Sequence, residues 1–248
     1  MSKVHQNLPN LTDADFSGRK NPDGYHYEMV RCKKCSLLYA SSIYETEILN
    51  KLYQNSDFDY LDELQGLKKT YNICLKESEK FVKNKSKLLE IGSGNGFFLE
   101  CAKKSGWDKV IGFEPSIKAY SSARNDIKKN LINSSFEYDE NYSDYNLIFF
   151  AMLIEHVPNV NIFLRDVHKT LSNDGLFMGI AHNEDHFLAK ILKSNHPIIN
   201  DEHNYVFSKK TIEKILIKNN FKILKIDDLR NYYTLNYWLK MLPKPKFL

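Results

Sequence analysis

A glycine-rich segment after an apolar run is the part of the sequence best suited to bind a ligand. Residues 92–96, GSGNG, follow the apolar residues 88–91 and precede a helical pattern that begins at Phe97. Glycines permit positive φ angles and let a ligand approach the backbone, and a helix start offers unpaired N–H groups. Glu114 ends the next apolar run, 22 residues after Gly92 (114 − 92), where a carboxylate can accept both hydroxyls of a ribose. The set predicts a nucleotide-type ligand.

Alternating strands and helices, which the sequence predicts from residue 87 onward, must position these residues. Apolar runs predict strands over 88–91, 109–113, 131–138, 145–152, 176–181 and 221–227, and helical spacing predicts helices over 97–105, 117–126, 161–171 and 208–219, with a turn at 173–175. Such alternation predicts a doubly wound α/β fold with a mostly parallel sheet. In such sheets ligands bind beyond the carboxyl ends of the strands, where the strand order reverses.

The residues before this pattern predict an N-terminal lead-in and a helical cap. Cys32 and Cys35 form a CxxC motif, which we interpret as a turn between two short strands with free thiols. Helical spacing over 45–53 and 61–81 predicts two helices that roof the site. We divide the chain into a lead-in at 1–60 with the CxxC turn and a short helix, a ligand-binding domain at 61–230 with its leading helix, and an aromatic tail at 231–248. The tail is interpreted as packing, a lid, a dimer surface or a membrane contact.

The composition of the 248 residues excludes several classes of protein. Apolar residues make up 42% and charged residues 27%, as in a folded domain and unlike a disordered chain. A net charge of +4, scattered among acids, disfavours nucleic-acid binding. No apolar run reaches the roughly 18–20 residues of a membrane span, and residues 1–6 carry no apolar signal segment. We therefore expect a cytoplasmic protein with reduced cysteines.

Four motifs together resemble the class I S-adenosylmethionine-dependent methyltransferases. Residues 88–96, LLEIGSGNG, are similar to motif I of that family, and residues 111–116, IGFEPS, to its acidic second motif. The segments 146–158 and 163–176 are similar to its fourth motif and to the helix, turn and strand that follow. The resemblance implies a Rossmann-like fold with an N-terminal helical cap, and no segment matches the family's seventh strand. It also implies S-adenosylmethionine as cofactor, bound by Glu90, Gly92, Ser93, Gly94, Gly96, Phe97, Glu114, Pro115, Ser116, Ala151 and Met152.

A narrower resemblance concerns residues 201–208, DEHNYVFS, which are similar to an element of small-molecule methyltransferases related to the ubiquinone O-methylating enzymes. Many of those are encoded with bacterial surface-polysaccharide genes. The resemblance implies O-methylation of a small acceptor, a sugar or a phosphorylated intermediate, in polysaccharide or capsule biosynthesis. Residues 31–39, RCKKCSLLY, are similar to the second cysteine pair of a zinc segment in several relatives. No cysteine precedes Cys32, and we predict no metal site.

Three histidines are candidates for the base that removes a proton from the acceptor, because imidazole titrates near neutral pH. His156 and His182 follow predicted strands, and the family element places His203 in the loop over the acceptor. Tyr205, in the same element, is a candidate for orienting the acceptor. Hydrogen bonding or packing alone is the structural alternative for each of these side chains.

Three other functions fit parts of the same pattern. A binding or scaffold protein on this fold would hold the cofactor without turnover, and the same motifs serve transfer to carbon or nitrogen. A nicotinamide-dependent oxidoreductase is disfavoured, because its G-x-G-x-x-G fingerprint needs a glycine where Phe97 stands. The expected partners are a small-molecule acceptor and a second copy of the chain in a homodimer, with no nucleic acid and no integral membrane segment.

Overall fold

Short strands and two helices form the N-terminal part of the chain in a computed structural model that describes residues 3–5, 16, 25–56 and 63–234. These elements are β1 (Lys3–His5), β2 (Tyr25–Tyr27), β3 (Met29–Arg31), β4 (Leu38–Ala40), α1 (Thr46–Asn55) and α2 (Leu64–Ser78). The predicted helices over 45–53 and 61–81 are confirmed as α1 and α2. Strand β3 pairs with β4 across the CxxC motif, as predicted.

Alternating strands and helices make up the rest of the described chain. In chain order they are β5 (Lys87–Ile91), α3 (Phe97–Lys104), β6 (Lys109–Phe113), α4 (Ile117–Ser121), α5 (Asn125–Lys128), β7 (Leu131–Ile132), β8 (Tyr145–Ala151), α6 (Val160–Thr170), β9 (Leu171–Ile180), α7 (Phe187–Leu192), β10 (Tyr205–Val206) and α8 (Lys209–Lys218). Strands β5 to β9 pair in parallel in the order β7-β6-β5-β8-β9. The order reverses between β5 and β8, which confirms the predicted doubly wound fold and places a ligand site at their carboxyl ends.

The two central strands, β5 and β8, are buried on both faces, as expected for a parallel sheet covered by helices. On one face Leu88 and Leu147 pack with Phe98 and Phe149, whose rings stack with centroids 4.1 Å apart. Leu89 belongs to a second core on the opposite face, where the sheet meets α6. Because such cores are close-packed, they hold the loops at the strand ends in defined positions.

The sixth strand predicted over 221–227 is wrong. No strand is assigned among the described residues after β10, so β9 is an edge of the described sheet. The ring of Phe221 lies 5.2 Å from that of Phe177 in β9 and 5.4 Å from that of His168 in α6. The apolar alternation of this segment therefore reflects side-chain packing and not backbone pairing.

Three other boundaries differ from the prediction. The helix over 117–126 is divided into α4 and α5, because the backbone of Arg124 is extended. The strand over 131–138 pairs only at Leu131–Ile132. The turn at 173–175 lies inside β9, where the register with β8 shifts: Tyr145 pairs with Leu171, but Leu147 pairs with Leu176. The extra residues bulge from the strand without ending it.

The CxxC turn connects the N-terminal hairpin to later parts of the chain. Strands β3, β4 and β10 form an antiparallel sheet in the order β10-β4-β3. Arg31 donates to both carboxylate oxygens of Glu184, at 3.0 and 2.8 Å, and Cys32 and Cys35 are free, half-buried thiols. Within the described ranges, no group of three or more His, Cys, Asp or Glu is placed to hold a metal ion, and no helix is long and apolar enough to cross a membrane.

The last described residues cross helix α2. Tyr232 donates its backbone N–H to the Thr70 hydroxyl at 3.1 Å. Gly66 makes this crossing possible, because a Cβ at its position would lie 2.0 Å from the Tyr232 carbonyl oxygen. Residues 235–248 of the predicted aromatic tail lie outside the described part of the chain, and the predicted domain boundaries stay predictions.

Candidate active site

A cavity of about 860 Å³ opens at the carboxyl ends of β5, β6 and β8. Residues of α1 and α2 line its opposite side, as expected for helices that roof the site. The volume suits a cofactor together with a small second molecule. The predicted cofactor residues that line the cavity are Glu90, Gly92, Ser93, Gly94, Phe97, Glu114, Pro115, Ser116, Ala151 and Met152.

Gly96 is the predicted cofactor residue that the structure places elsewhere. It is the N-cap of α3, with a left-handed φ of +77°, and a Cβ at its position would lie 2.5 Å from Cγ2 of Ile127 in α5. This glycine therefore serves the packing of the loop against α5, and it is not part of the cavity wall.

Glu114 holds the glycine-rich segment to the end of β6. Its Oε2 accepts the Gly94 N–H at 2.7 Å, and its Oε1 accepts the Ser116 N–H at 2.8 Å. Burial raises the pKa of Glu114 to about 7, although these two donors act in the opposite direction. Each carboxylate oxygen has a second lone pair, so the same group can also accept the hydroxyls of a bound nucleoside.

Glu90 and Ser93 carry buried polar atoms that point to a ligand. Neither Glu90 Oε2 nor Ser93 Oγ has a hydrogen-bond partner among the described residues, and both side chains line the cavity. Burial, together with the nearby Glu114, raises the pKa of Glu90 well above its ordinary value. Unpaired buried atoms are costly, so they fit a ligand that supplies donors or positive charge. S-Adenosylmethionine has both, in its ribose hydroxyls, ammonium and sulfonium.

Gly92 and Phe97 shape the space beside these polar atoms. Gly92 has a φ of +75°, and a Cβ at its position would lie 2.7 Å from Cδ1 of Leu153, so a larger residue would displace that side chain. The ring of Phe97 packs 5.1 Å from that of Tyr71 in α2, which gives the cavity an aromatic wall. The residues present therefore fit the predicted cofactor.

The structure brings the three candidate histidines together at the cavity. The ring centroids of His156 and His203 are 4.6 Å apart, and those of His182 and His203 are 5.2 Å apart. They come from three separate loops, after β8, after β9 and before β10, and all three side chains line the cavity. One acceptor could therefore contact more than one imidazole.

Hydrogen bonds indicate which nitrogen of His203 can accept a proton. Its Nδ1 lies 2.8 Å from the Ile198 carbonyl oxygen, which assigns the proton to Nδ1 and the lone pair of the neutral ring to Nε2. His156 Nδ1 lies 3.1 Å from the Tyr53 hydroxyl. Burial raises the pKa of Tyr53 well above its ordinary value, so this hydroxyl keeps its proton and can donate it to the His156 hydrogen bond.

Burial keeps two of the histidines uncharged near neutral pH. It lowers the pKa of His182 to about 3 and the pKa of His156 well below its ordinary value, and the neighbouring His203 acts in the same direction on both. These two rings can therefore donate and accept hydrogen bonds without adding positive charge to the cavity.

Tyr205 does not occupy the position that the predicted role requires. Its hydroxyl donates to the Pro158 carbonyl oxygen at 3.1 Å, and its backbone pairs with Tyr39 of β4. The side chain is therefore used to join β10 to the loop after β8, and it is absent from the described wall of the cavity.

Sequence reasoning missed Tyr53, Glu155 and Glu202 as residues of the site. One sequence feature could have indicated Tyr53, namely its position on a helix predicted to roof the site. Glu202 lines the cavity with its Oε2 3.9 Å from Nδ1 of His156, and it had only its place beside a candidate histidine. Glu155 accepts the backbone N–H of His182 at 2.5 Å, a contact between residues 27 positions apart (182 − 155) that no local pattern shows.

Comparisons with known proteins show which family the chain is similar to. A family model described as a methyltransferase domain matches residues 67–226. A ribosomal protein L11 methyltransferase from Prochlorococcus marinus (strain MIT 9515) is 27% identical over 146 residues, which cover 55% of this chain and 49% of that protein. A ubiquinone biosynthesis O-methyltransferase from Pelagibacter ubique (strain HTCC1062) is 25% identical over 177 residues, which cover 66% of this chain and 72% of that protein.

The fold has solved counterparts. The crystal structure of a SAM dependent methyltransferase from Aquifex aeolicus is similar with a TM-score of 0.52 at 17% identity, over 75% of this chain and 93% of that chain. The chain spans about half the length of most of the curated relatives it matches. Because the family model covers more than half of the chain and the described fold is Rossmann-like, the chain belongs to the class I methyltransferase-domain family, whose cofactor is S-adenosylmethionine.

Proposed function

We propose that this chain transfers a methyl group from S-adenosylmethionine to a hydroxyl oxygen of a small, sugar-like acceptor, with His203 as the general base. The observation that carries the proposal is the convergence of His156, His182 and His203 on the cavity that the glycine-rich segment also lines. A hydroxyl must lose its proton as its oxygen forms the new bond, so a base at this place has a use. The similarity of residues 201–208 to O-methylating enzymes favours oxygen over carbon or nitrogen.

The chain's own contribution is to align the acceptor and to take its proton. When bound, S-adenosylmethionine supplies a methyl group that its sulfonium has already activated. The bond from Nδ1 to the Ile198 carbonyl orients the His203 ring and leaves Nε2 as the atom that takes the proton. Burial lowers the pKa of His156 and of His182, which makes both rings poor proton acceptors, and we assign them the role of hydrogen-bonding the acceptor.

The chemistry of the cavity wall supports an acceptor rich in hydroxyl groups. The wall contains the amide of Asn195, which can donate to and accept from hydroxyls, and the carboxylate of Glu202, which can accept from them. None of the described residues that line the cavity is Lys or Arg, and these are the usual partners of a phosphate group. We therefore propose a neutral sugar instead of a phosphorylated intermediate, within surface-polysaccharide or capsule biosynthesis.

Incubation with methyl-labelled S-adenosylmethionine and a bacterial small-molecule extract should produce a labelled compound that passes through an anion-exchange resin. The expected product is neutral because the acceptor carries no phosphate, and mass spectrometry should locate the label on oxygen. The Glu114→Gln variant, which should bind the cofactor poorly, provides the control for label that is transferred without the cofactor site.

Three results of this experiment would each contradict one part of the proposed function. A labelled product that the resin retains and that phosphatase releases would contradict the neutral acceptor. Label on carbon or nitrogen would contradict O-transfer. A protein that binds S-adenosylhomocysteine but labels nothing in the extract would favour the binding or scaffold protein.

Two adjacent tyrosines should differ in their effect on cofactor binding. Tyr233 lines the cavity together with Leu67 and Tyr71 of α2, whereas Tyr232 packs under the Lys69 ammonium, 3.8 Å from its ring centroid. Tyr233→Ala should weaken S-adenosylhomocysteine binding about 10-fold in calorimetry, because it removes an aromatic side chain from the wall. The matched Tyr232→Ala variant should stay within about twofold of the wild type. Equal losses in the two variants would refute this assignment.

A further inference from the structure

We propose that Glu155 is a positioning residue that holds the three histidine-bearing loops in one arrangement and thereby sets where His203 meets the acceptor. Glu155 is fully buried and is not among the residues that line the cavity, so any effect it has on transfer must pass through other residues. The part of this inference that concerns the acceptor rests on the proposed function. The part that concerns the arrangement of the loops does not.

The side chain of Glu155 holds the loop that follows β9. Its Oε1 accepts the backbone N–H of His182 at 2.5 Å. This bond joins the loop after β8 to the loop after β9, and it fixes the start of the loop that carries the His182 ring. Loss of the acceptor oxygen would leave the half-buried N–H of His182 unpaired, and the loop would have to move for this group to reach water.

The main chain of Glu155 holds the loop that precedes β10. Its carbonyl oxygen accepts the N–H of Asn204 at 2.8 Å and that of Tyr205 at 3.1 Å. Asn204 in turn donates from Nδ2 to the His156 carbonyl oxygen at 2.7 Å. His203 directly precedes Asn204, and His156 directly follows Glu155. Glu155 lies in the loop after β8. Its side chain therefore joins this loop to the loop after β9, and its backbone joins it to the loop before β10.

A carboxyl group is a costly choice for this position. Glu155 Oε2 has no hydrogen-bond partner among the described residues, and burial raises the pKa of the group to about 7. An apolar side chain of similar size would avoid this desolvation cost. It could not accept the N–H of His182, however, and this contact is the one that the carboxyl group provides.

The test compares Glu155→Met with Glu155→Gln. Both replacements fill nearly the same space, but only glutamine keeps an oxygen that can accept the His182 N–H. Glu155→Ala, which also lacks the oxygen, gives the same comparison if methionine prevents folding. Val167→Ala is the control for a general loss of stability, because Val167 is a buried residue of α6 outside the cavity wall.

The first readout is the titration of the His182 ring, followed by NMR of labelled imidazoles in the protein bound to S-adenosylhomocysteine. Burial lowers the pKa of His182 to about 3, with His203 and His196 acting in the same direction, so the wild-type ring should not titrate between about pH 5 and 8. Glu155→Met should expose the loop and bring the midpoint into that range. Glu155→Gln and Val167→Ala should behave like the wild type.

The second readout is the transfer of label to the small-molecule extract. Glu155→Met should lower transfer about 30-fold, because small displacements of aligning groups are expensive, while glutamine should restore it to within about 3-fold of the wild type. The affinity for S-adenosylhomocysteine should stay within about 3-fold of the wild type in both variants, since Glu155 is outside the cofactor wall. Val167→Ala should lower the melting temperature without this loss of transfer.

Two results would overturn the inference. One is a His182 ring in Glu155→Met that titrates as in the wild type. The other is a loss of transfer in Val167→Ala as large as that in Glu155→Met. The titration needs no acceptor, so it decides whether Glu155 positions the loop even if the wild type transfers no label. A wild type that transfers no label would contradict the proposed function but not the role of Glu155 in positioning the loop.

Discussion

Replacing Glu114 with glutamine should weaken the binding of S-adenosylhomocysteine by about 100-fold, or about 3 kcal/mol. The carboxylate accepts the N–H groups of Gly94 and Ser116 at the same time, one on each oxygen. Glutamine has one acceptor oxygen, and its NH₂ group would face the second N–H donor. The variant therefore loses one bond that holds the glycine-rich segment and an acceptor for the ribose hydroxyls. Isothermal titration calorimetry measures the difference.

Glu137→Gln is the matched control for this substitution. Glu137 also lines the cavity, but it is exposed, so the loss of its charge should change the affinity less than about twofold. Similar losses in the two variants would mean that Glu114 acts through the overall charge of the cavity and not through its two hydrogen bonds.

Because burial raises the pKa of Glu114, the affinity for S-adenosylhomocysteine should depend on pH. Burial raises this pKa from 4.5 to about 7, so the ionised form that accepts the hydroxyls is present mainly above about pH 7. Wild-type affinity should therefore rise between about pH 6 and 8, and Glu114→Gln should lack this rise.

The contribution of Glu114 to folding stability changes with pH in the opposite direction. A carboxyl group whose pKa is raised by folding contributes stability at low pH, and that contribution is lost as the pH rises from 4.5 through about 7.

Replacing His203 with alanine should lower the rate of methyl transfer about 1000-fold, which is within the range for loss of a general base. The affinity for S-adenosylhomocysteine should be nearly unchanged, because His203 belongs to the histidine cluster and not to the glycine-rich wall. Transfer of label to the extract measures the first quantity, and calorimetry measures the second.

His156→Ala and His168→Ala complete this comparison. His156→Ala should lower transfer about 10-fold, less than His203→Ala, because burial lowers the pKa of His156 and we assign this ring to hydrogen-bonding the acceptor. His168 packs against Phe221 away from the histidine cluster, and its replacement should leave transfer unchanged. A larger loss in His156→Ala than in His203→Ala would assign the base to His156.

Much of the cofactor site could be predicted because its signals are local. The glycine-rich segment and Glu114 each follow directly on a strand of the predicted sheet, and in a parallel sheet the carboxyl ends of neighbouring strands lie at one edge. The structure pairs β5 with β6, which brings the two signals together at that edge. Gly96 shows the limit of this reasoning. We predicted from its motif that Gly96 binds the cofactor, but its packing against Ile127 depends on where α5 lies.

Other parts of the prediction depended on patterns that have more than one structural cause. The apolar alternation over 221–227 predicted a strand, yet these side chains pack on the sheet and α6 without pairing. Tyr205 was predicted to orient an acceptor from its place beside His203. Its hydroxyl instead donates to the Pro158 carbonyl oxygen, a contact between residues 47 positions apart that no local pattern shows.

By itself, the sequence determined the alternating α/β architecture, the strands of the parallel sheet and the class of cofactor, since hydrophobic period and glycine spacing act over a few residues. Only the tertiary structure decided that His156, His182 and His203 form one cluster and that Glu155 joins their loops. These histidines are 26 and 21 residues apart along the chain (182 − 156 and 203 − 182). Their separation in space depends on how the three loops are held against each other by long-range contacts, which no local pattern encodes.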